Sequence, residues 1–430
     1  MASNLVIKTD LHDFNPVFNR MEVTVHQDDA PTLALPGYQY LIDVYIEGQT
    51  FGGLGYYRFT ISPFPNTGNA VLDVHSVCES FVSSTLSVYN SNVAFALGAN
   101  ATVGQSIIKV TLKYGYQYLL AGVVTVVADS VVGSAKYAWD ACLSKKELLD
   151  YIAGYPLYLM NTTNGVNAKF LTDMKRNKVS IGNIGWHHIL SDQPTQIDRL
   201  KVITYDSAGA IIQTVIKANS TTQVPTVARN YIVSTAPASL NAMTGAFISG
   251  AQPIITSSVA SYTVQIFENT PTAVSEILYF EIIEPCRYTQ RRLHFLNRLG
   301  SFDSFNFNLR SQKSQDVSSQ GYKMDKYTDT VGGAVNSYQD PENITTFVQT
   351  ADKMILRSDY LTNDENEWLK QLISSPEIYL EFTDPTGVQQ YLAVQKLSGS
   401  SWLEKEVNFD KLFNMEVEII MSQSDFRQRR

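Results

Sequence analysis

The residues best suited to chemistry are spaced in ways that give them little to do together. Six histidines, His12, His26, His75, His187, His188 and His294, are scattered along the chain. The adjacent pair, His187 and His188, would face opposite sides of a strand and could not hold one ion between them. Three cysteines, Cys78, Cys142 and Cys286, are odd in number and far apart. They match neither a zinc spacing nor a disulfide framework, and read as buried thiols made in a reducing cytoplasm. The sequence contains no H-E-x-x-H, no G-x-S-x-G elbow, no phosphate-cradling G-x-x-x-x-G-K-[ST] loop and no G-x-G-x-x-G. Asp28 and Asp29 form an acidic pair, but among 41 acidic residues such pairs arise freely, so paired-carboxylate hydrolysis gains little from it. The expectation is a chain that is not an enzyme, with no catalytic residue, no metal ligands and no cofactor.

Two residue types carry more information. Arg287, Arg291, Arg292, Arg298 and Arg310 concentrate positive charge in one segment, where apolar residues interleave with the cations. One reading is a surface element whose arginine stems cover apolar area while the heads stay wet. The other is a seam between subunits, with bidentate arginine–carboxylate pairs fixing register. Tyr114, Tyr116 and Tyr118 share one strand face, which suits either a sugar-stacking platform or packing in a core or interface. Trp186, flanked by Gly182 and Gly185, reads as a loop anchor rather than a ligand contact.

The elements that would position these residues are mainly strands. Of 430 residues, 44% are hydrophobic, ample for several cores, while only 17% are charged, against roughly 25% in ordinary soluble proteins. With 24 Tyr and 20 Phe, this is the composition of a β-rich protein with aromatic faces. A net charge of −8 argues against nucleic-acid binding through an overall basic surface. The local exception, Arg427-Gln428-Arg429-Arg430, reads as a solvated tail or a clamp onto an acidic neighbour or DNA. The start, Met1-Ala2-Ser3-Asn4, lacks the pattern of a signal peptide. The longest apolar run, near residues 119–132, is interrupted by Gly122, Asp129 and Ser130. It is expected as a strand pair or a buried strand rather than a membrane span.

Four segments are expected. Residues 1–128 read as a β-sandwich-like domain: Tyr38, Tyr40, Ile42, Val44 and Ile46 alternate onto one face, and Asp73 is placed to cap a short helix. Residues 129–165 read as a helical connector, with Ser144 and Glu147 as a capping box. Residues 166–285 read as a second sandwich-like domain with a hairpin at Tyr205-Asp206-Ser207-Ala208-Gly209. Within it, 219–261 is open between short strands and an extended surface loop. Residues 286–430 read as an α+β assembly domain, in which Thr362 and Glu365 cap a helix carrying Trp368, Leu369 and Leu372. The fold class expected is therefore mainly β, tandem β-sandwich-like domains followed by a C-terminal α+β domain.

The run Cys286-Arg287-Tyr288, continuing through Leu293-His294-Phe295-Leu296-Asn297-Arg298-Leu299-Gly300-Ser301-Phe302-Asp303-Ser304-Phe305, resembles a segment of structural proteins from Bacteroidota tailed phages and prophages, including crAss-like phages. The stretch around Trp368-Leu369 and Ser374-Ser375-Pro376-Glu377-Ile378-Tyr379-Leu380 is similar to the same group. So is the tyrosine-rich strand followed by Pro63-Phe64-Pro65. The resemblance implies a virion tail, hub, baseplate or neck component, made in the host cytoplasm and assembled as a homo-oligomeric ring. Its partners would be copies of itself and other tail or neck proteins, with no membrane insertion and no specific nucleic acid. The alternatives are an adhesin binding a receptor or host surface glycan and, after it, a polysaccharide-degrading enzyme.

Overall fold

The computed structural model describes residues 4–51, 55–84, 86, 95–97, 106–152, 157–161, 163–191, 197–219, 229–269, 272–284, 287–323, 328–330, 333–335, 343–387, 389–396, 414–421 and 426–429. The protein is mainly β. It divides into two compact units, the first comprising Met1–Ile283 with Leu296–Asp303 and the second Glu284–Phe295 with Ser304–Arg430.

The first unit opens with two sheets around a common core. Leu5–Thr9, Glu22–Gln27 and Asn69–Asp73 form one, with Glu22–Gln27 central. The other runs Phe14–Pro16, Lys136–Trp139, Ile107–Leu120, Gln39–Ile46, Tyr57–Ile61, and Val123–Val132 also pairs with Ile107–Leu120. Tyr38, Tyr40, Ile42, Val44 and Ile46 all point into that core, against Val23, Val25 and Ala70. Alternation put them there, because successive side chains of a strand take opposite faces. Asp43, on the reverse face, is also buried. Its carboxylate is gripped by Arg58 of the adjacent strand at 2.7 Å to each oxygen. The short helix His75–Glu79 begins one residue later than expected: Val74 takes the cap position, and Asp73 accepts the His75 N–H at 3.1 Å from just outside.

A second pair of sheets completes this unit. Arg176–Val179, Leu278–Ile282, Ser261–Asn269, Arg199–Tyr205 and Ile211–Ala218 form one, and Trp186–Ser191, Arg229–Ser234 and Phe95–Leu97 the other. Tyr262 stacks on Phe280 at 4.8 Å, and its hydroxyl donates to the Thr235 carbonyl at 2.8 Å. In the hairpin after Tyr205, the Asp206 carboxylate accepts from the Ala208 and Ala210 N–H groups. Part of 219–261 is not a surface loop. It holds a strand and the helix Pro237–Ala242, and buries Leu240, Met243, Ile254, Ile255 and Val259. Residues 220–228 lie outside the described residues.

Two observations explain why the residues expected as two domains and a connector make one compact unit. Phe95–Leu97 pairs with Arg229–Ser234, so a strand from the first expected domain sits in a sheet of the second. A single apolar cluster also joins Phe14, Ile107, Trp139, Leu159, Leu190 and Leu299. The segment 129–165 is not chiefly helical. Lys136–Trp139 lies between Phe14–Pro16 and Ile107–Leu120, and only then does the helix Lys145–Ile152 start, on the Ser144–Glu147 box.

The second unit is α+β. Its main sheet contains Arg291–Leu296, Ile378–Thr383, Gln389–Lys396, Glu416–Met421, Asn343–Arg357 and Gln312–Lys323, in that order. The helix Asn363–Ser374 starts at the expected capping box, with both reciprocal hydrogen bonds of Thr362 and Glu365 present. Its Trp368, Leu369 and Leu372 are buried, and Trp368 meets the rings of Phe295 and Phe305.

Candidate functional site

The five arginines singled out by sequence have different fates. Arg287 and Arg310 are exposed, and the Arg287 guanidinium lies 5.5 Å from the Tyr288 ring centre. Arg291 is half-buried. Arg292 and Arg298 are engaged inside their own chain, each by carboxylates remote in sequence. Glu147, Asp173 and Glu381 therefore belong to these sites, though nothing local in the sequence marks them.

Arg298 stands in the tight turn Asn297–Ser301, part of the first unit, and forms a double fork. Its Nη2 and Nε donate to Asp173 at 2.9 and 2.7 Å, and Nη2 also reaches Glu147 at 2.7 Å. Hydrogen bonding to Arg298, against the opposing effect of burial, holds the Glu147 carboxyl down to about 2. The clamp forms one wall of an open cleft of about 690 Å³ that Cys142, Lys146, Asp150, Tyr158 and Lys169 also line. Both signs of charge line this cleft, which suits ion-pair cross-bracing rather than capture of a ligand of one charge.

Beside the clamp, Glu276 accepts the Phe170 N–H at 3.1 Å. Burial pushes its carboxyl up to about 7; the Phe170 N–H and Lys169 oppose this, and Asp173 adds to it. A carboxyl raised in the fold binds its proton more tightly folded than unfolded. Its contribution is therefore fully present below about 4.5, the ordinary value, and is lost as pH rises through about 7. Glu276→Gln is accordingly expected to gain roughly 1–3 kcal/mol over the parent at pH 8 and almost nothing at pH 4.5. Urea denaturation at the two pH values measures this difference.

In the second unit a buried network joins three titratable side chains. His294 Nε2 lies 2.7 Å from Glu381 Oε2, and Arg292 Nη1 lies 3.3 Å from the same oxygen. Arg292 Nη2 donates to the Ser304 hydroxyl at 2.6 Å, and Gln389 donates to the other Glu381 oxygen at 2.8 Å. The pairing follows from topology: Arg292 and Glu381 are direct cross-strand partners, and His294, two residues on, shares the face. A His–carboxylate contact is also half of a nucleophile-activating relay. Here the carboxylate is already taken by an arginine and an amide, which fits a structural knot.

His187 and His188 face opposite ways, as their adjacency requires. His187 Nδ1 meets the Thr235 hydroxyl at 2.8 Å, and His188 Nδ1 meets Asn230 at 3.2 Å. Burial pulls His188 down to about 4. Among the described residues, no group of three or more His, Cys, Asp or Glu side chains is placed to hold a metal ion.

The tyrosine face is largely used within the chain. Tyr114 is fully buried, while Tyr38, Tyr116 and Tyr118 form a continuous stack with centroid spacings of 5.6 and 6.3 Å. Trp186 is not in a loop. It opens the strand Trp186–Ser191, where its backbone pairs with Ser234, and it is buried.

Two of the surfaces left open are strand edges. Gln312–Lys323 is exposed along its whole length and pairs, among the described residues, with Asn343–Arg357 alone. Among the described residues, Val123–Val132 pairs only with Ile107–Leu120. It belongs to the apolar run noted in the sequence, which is a strand pair with Leu119, Leu120, Val123, Val124, Val126 and Val132 in solvent. No helix among the described residues is long and apolar enough to cross a membrane. Neither the family models nor the curated proteins include a match to this chain.

Proposed function

We propose that this chain is a non-enzymatic structural protein of a tailed bacteriophage virion. In this reading it is a tail, hub or baseplate component that forms a homo-oligomeric ring and contacts other tail or neck proteins. The observation that carries the assembly reading is the strand Gln312–Lys323, twelve residues long and exposed throughout. An edge of that length presents a row of peptide N–H and C=O groups, which proteins ordinarily cover, shorten or twist away. Half of its residues are Ser or Gln, and three are charged, Lys313, Asp316 and Lys323. Such an edge suits a wet, polar contact made after the protomer has folded. The phage assignment draws on the resemblance around Arg287 to Phe305 and around Trp368.

The mass of the purified full-length protein, followed by negative-stain imaging of its largest species, tests the proposal. A closed ring of fixed copy number is expected, together with the chain's presence in purified virions. A protein that stays monomeric at tens of micromolar and never enters virions would overturn it.

A further inference from the structure

The Val123–Val132 strand is the second open edge, and its chemistry is unlike the first. The hairpin that carries it turns at Ala121 and Gly122, both with positive φ, 51° and 82°. Two such residues make a type I′ turn, which matches the twist of its strands and closes on the pair Leu120–Val123. In such a hairpin the closing pair turns its peptide groups toward each other. Along the strand the direction then alternates, so Val124 and Val126 present their N–H and C=O groups to the open side. The regular stretch ends after Val127. There Tyr114 pairs with Val131 and Tyr116 with Val127, so that three residues bulge opposite Gly115. Asp129, at the bulge, has φ 52° and pairs with Lys113 at 3.2 Å.

What remains is a regular edge, Val123-Val124-Thr125-Val126-Val127, without a charge. Val123 is 68% exposed and Val124 57%. Leu119, Val124 and Val126 present apolar surface on one face, and Leu120 and Val123 on the other. Uncharged, β-branched edges of this kind are the ones that recruit another strand.

We propose that this edge pairs antiparallel with the same edge of a second copy of the chain, about a two-fold axis at Thr125. Three features favour a second copy over other occupants. The sequence is self-complementary in this register: Val123 meets Val127, Val124 meets Val126 and Thr125 meets Thr125, each a favourable cross-strand pair. The peptide groups are also in phase, since Val124 and Val126, both open outward, face each other and exchange hydrogen bonds. No like charges are brought together. Lipid fits less well, because a bilayer would leave those outward peptide groups unsatisfied. The contact is isologous, joining copies two by two, whereas closing a ring uses heterologous contacts. It therefore goes beyond the ring reading and stands or falls separately from it.

Thr125→Cys in a Cys142→Ser, Cys286→Ser background, on the full-length chain, tests the register. Paired Thr125 residues would be a non-hydrogen-bonded pair with Cα atoms about 4.5 Å apart, within disulfide range. Mild oxidation is expected to give a covalent dimer in high yield. Val126→Cys should give almost none, because its own copies would lie about 8 Å apart, beyond bridging distance. Val124→Lys, at an exposed position, should leave the circular dichroism unchanged and weaken self-association at least tenfold by sedimentation. Rings that form without the Thr125 cross-link, or a Val124→Lys protein that associates like the parent, overturn this contact and leave the ring reading intact. A monomeric parent with no cross-link overturns this contact, and overturns the ring reading as well if the chain is also missing from purified virions. Saturable binding of the parent to phosphatidylcholine vesicles, abolished by Val124→Lys, would assign the edge to lipid and overturn the pairing.

Discussion

Gly300→Ala is expected to destabilise the first unit by at least ~4 kcal/mol, a loss reserved for a few structural causes. Gly300 has φ +76°, and a Cβ built on it would sit 1.8 Å from the Asp140 carbonyl oxygen. That neighbour is backbone, so no rotamer change relieves the overlap. The turn cannot simply move aside, because it is held from several directions. The Asn297 side chain donates to the Leu171 carbonyl at 2.8 Å and accepts from the Leu299 and Ser301 N–H groups. Ser84 donates to the Gly300 carbonyl at 2.8 Å, and the Cys142 N–H donates to the Arg298 carbonyl at 2.8 Å. Gly209→Ala, in the same unit, is the matched control. Its φ is +82°, but nothing lies within 4 Å of its Cβ, so it bears only the ~1–2 kcal/mol of a left-handed non-glycine residue. Urea denaturation of both variants separates clash from conformational strain. Equal losses would mean that the Asp140 contact relaxes and the turn is not held as described.

How much of this was legible in sequence depended on the range of the interactions. Both capping boxes, Ser144–Glu147 and Thr362–Glu365, formed where three-residue spacing put them, because a cap is a local hydrogen-bond exchange. The Tyr38-to-Ile46 alternation and the Asp206 hairpin were equally local. Tertiary partners were not. Arg298 is separated from Glu147 by 151 residues and from Asp173 by 125. An arginine-rich run therefore looks the same whether its carboxylates come from its own chain or a neighbour's. Phe95–Leu97 is too short to reveal which sheet it completes, and its pairing with Arg229–Ser234 removed the expected boundary between two domains. The apolar run near 119–132 showed its hydrophobicity but not its exposure, since a buried strand and an open valine edge have the same composition.

Glu381→Gln is expected to cost the second unit about 3–5 kcal/mol, the range found when one member of a buried ion pair is removed. The side chains of Arg292 and Glu381 are 4% and 8% exposed, so the guanidinium would keep its charge in a poorly hydrated place after losing the carboxylate opposite it. Glutamine retains the shape and can still accept from His294 Nε2; its NH2 then faces Gln389, whose amide can flip to accept it, so the loss reports the charge rather than packing. Arg292→Met combined with Glu381→Gln should recover most of it, because replacing both ions by uncharged groups is often nearly neutral. The wild-type network also has a pH signature. Burial alone would raise the Glu381 carboxyl, but Arg292 and His294 outweigh it and the net shift is downward. Its contribution is thus present above the ordinary carboxylate range and is lost as pH falls through the lower folded value. Burial also lowers His294, against the pull of Glu381. Below about 6.5, its ordinary value, the unfolded chain therefore takes up a proton that the fold resists, and stability falls further. Glu381→Gln should flatten the first of these slopes. Hydrogen exchange of Arg291–Leu296, followed with pH, reads the effect within this unit. If the single variant is as stable as the parent at pH 7, the Arg292 charge is satisfied elsewhere and the ion pair does not anchor the sheet.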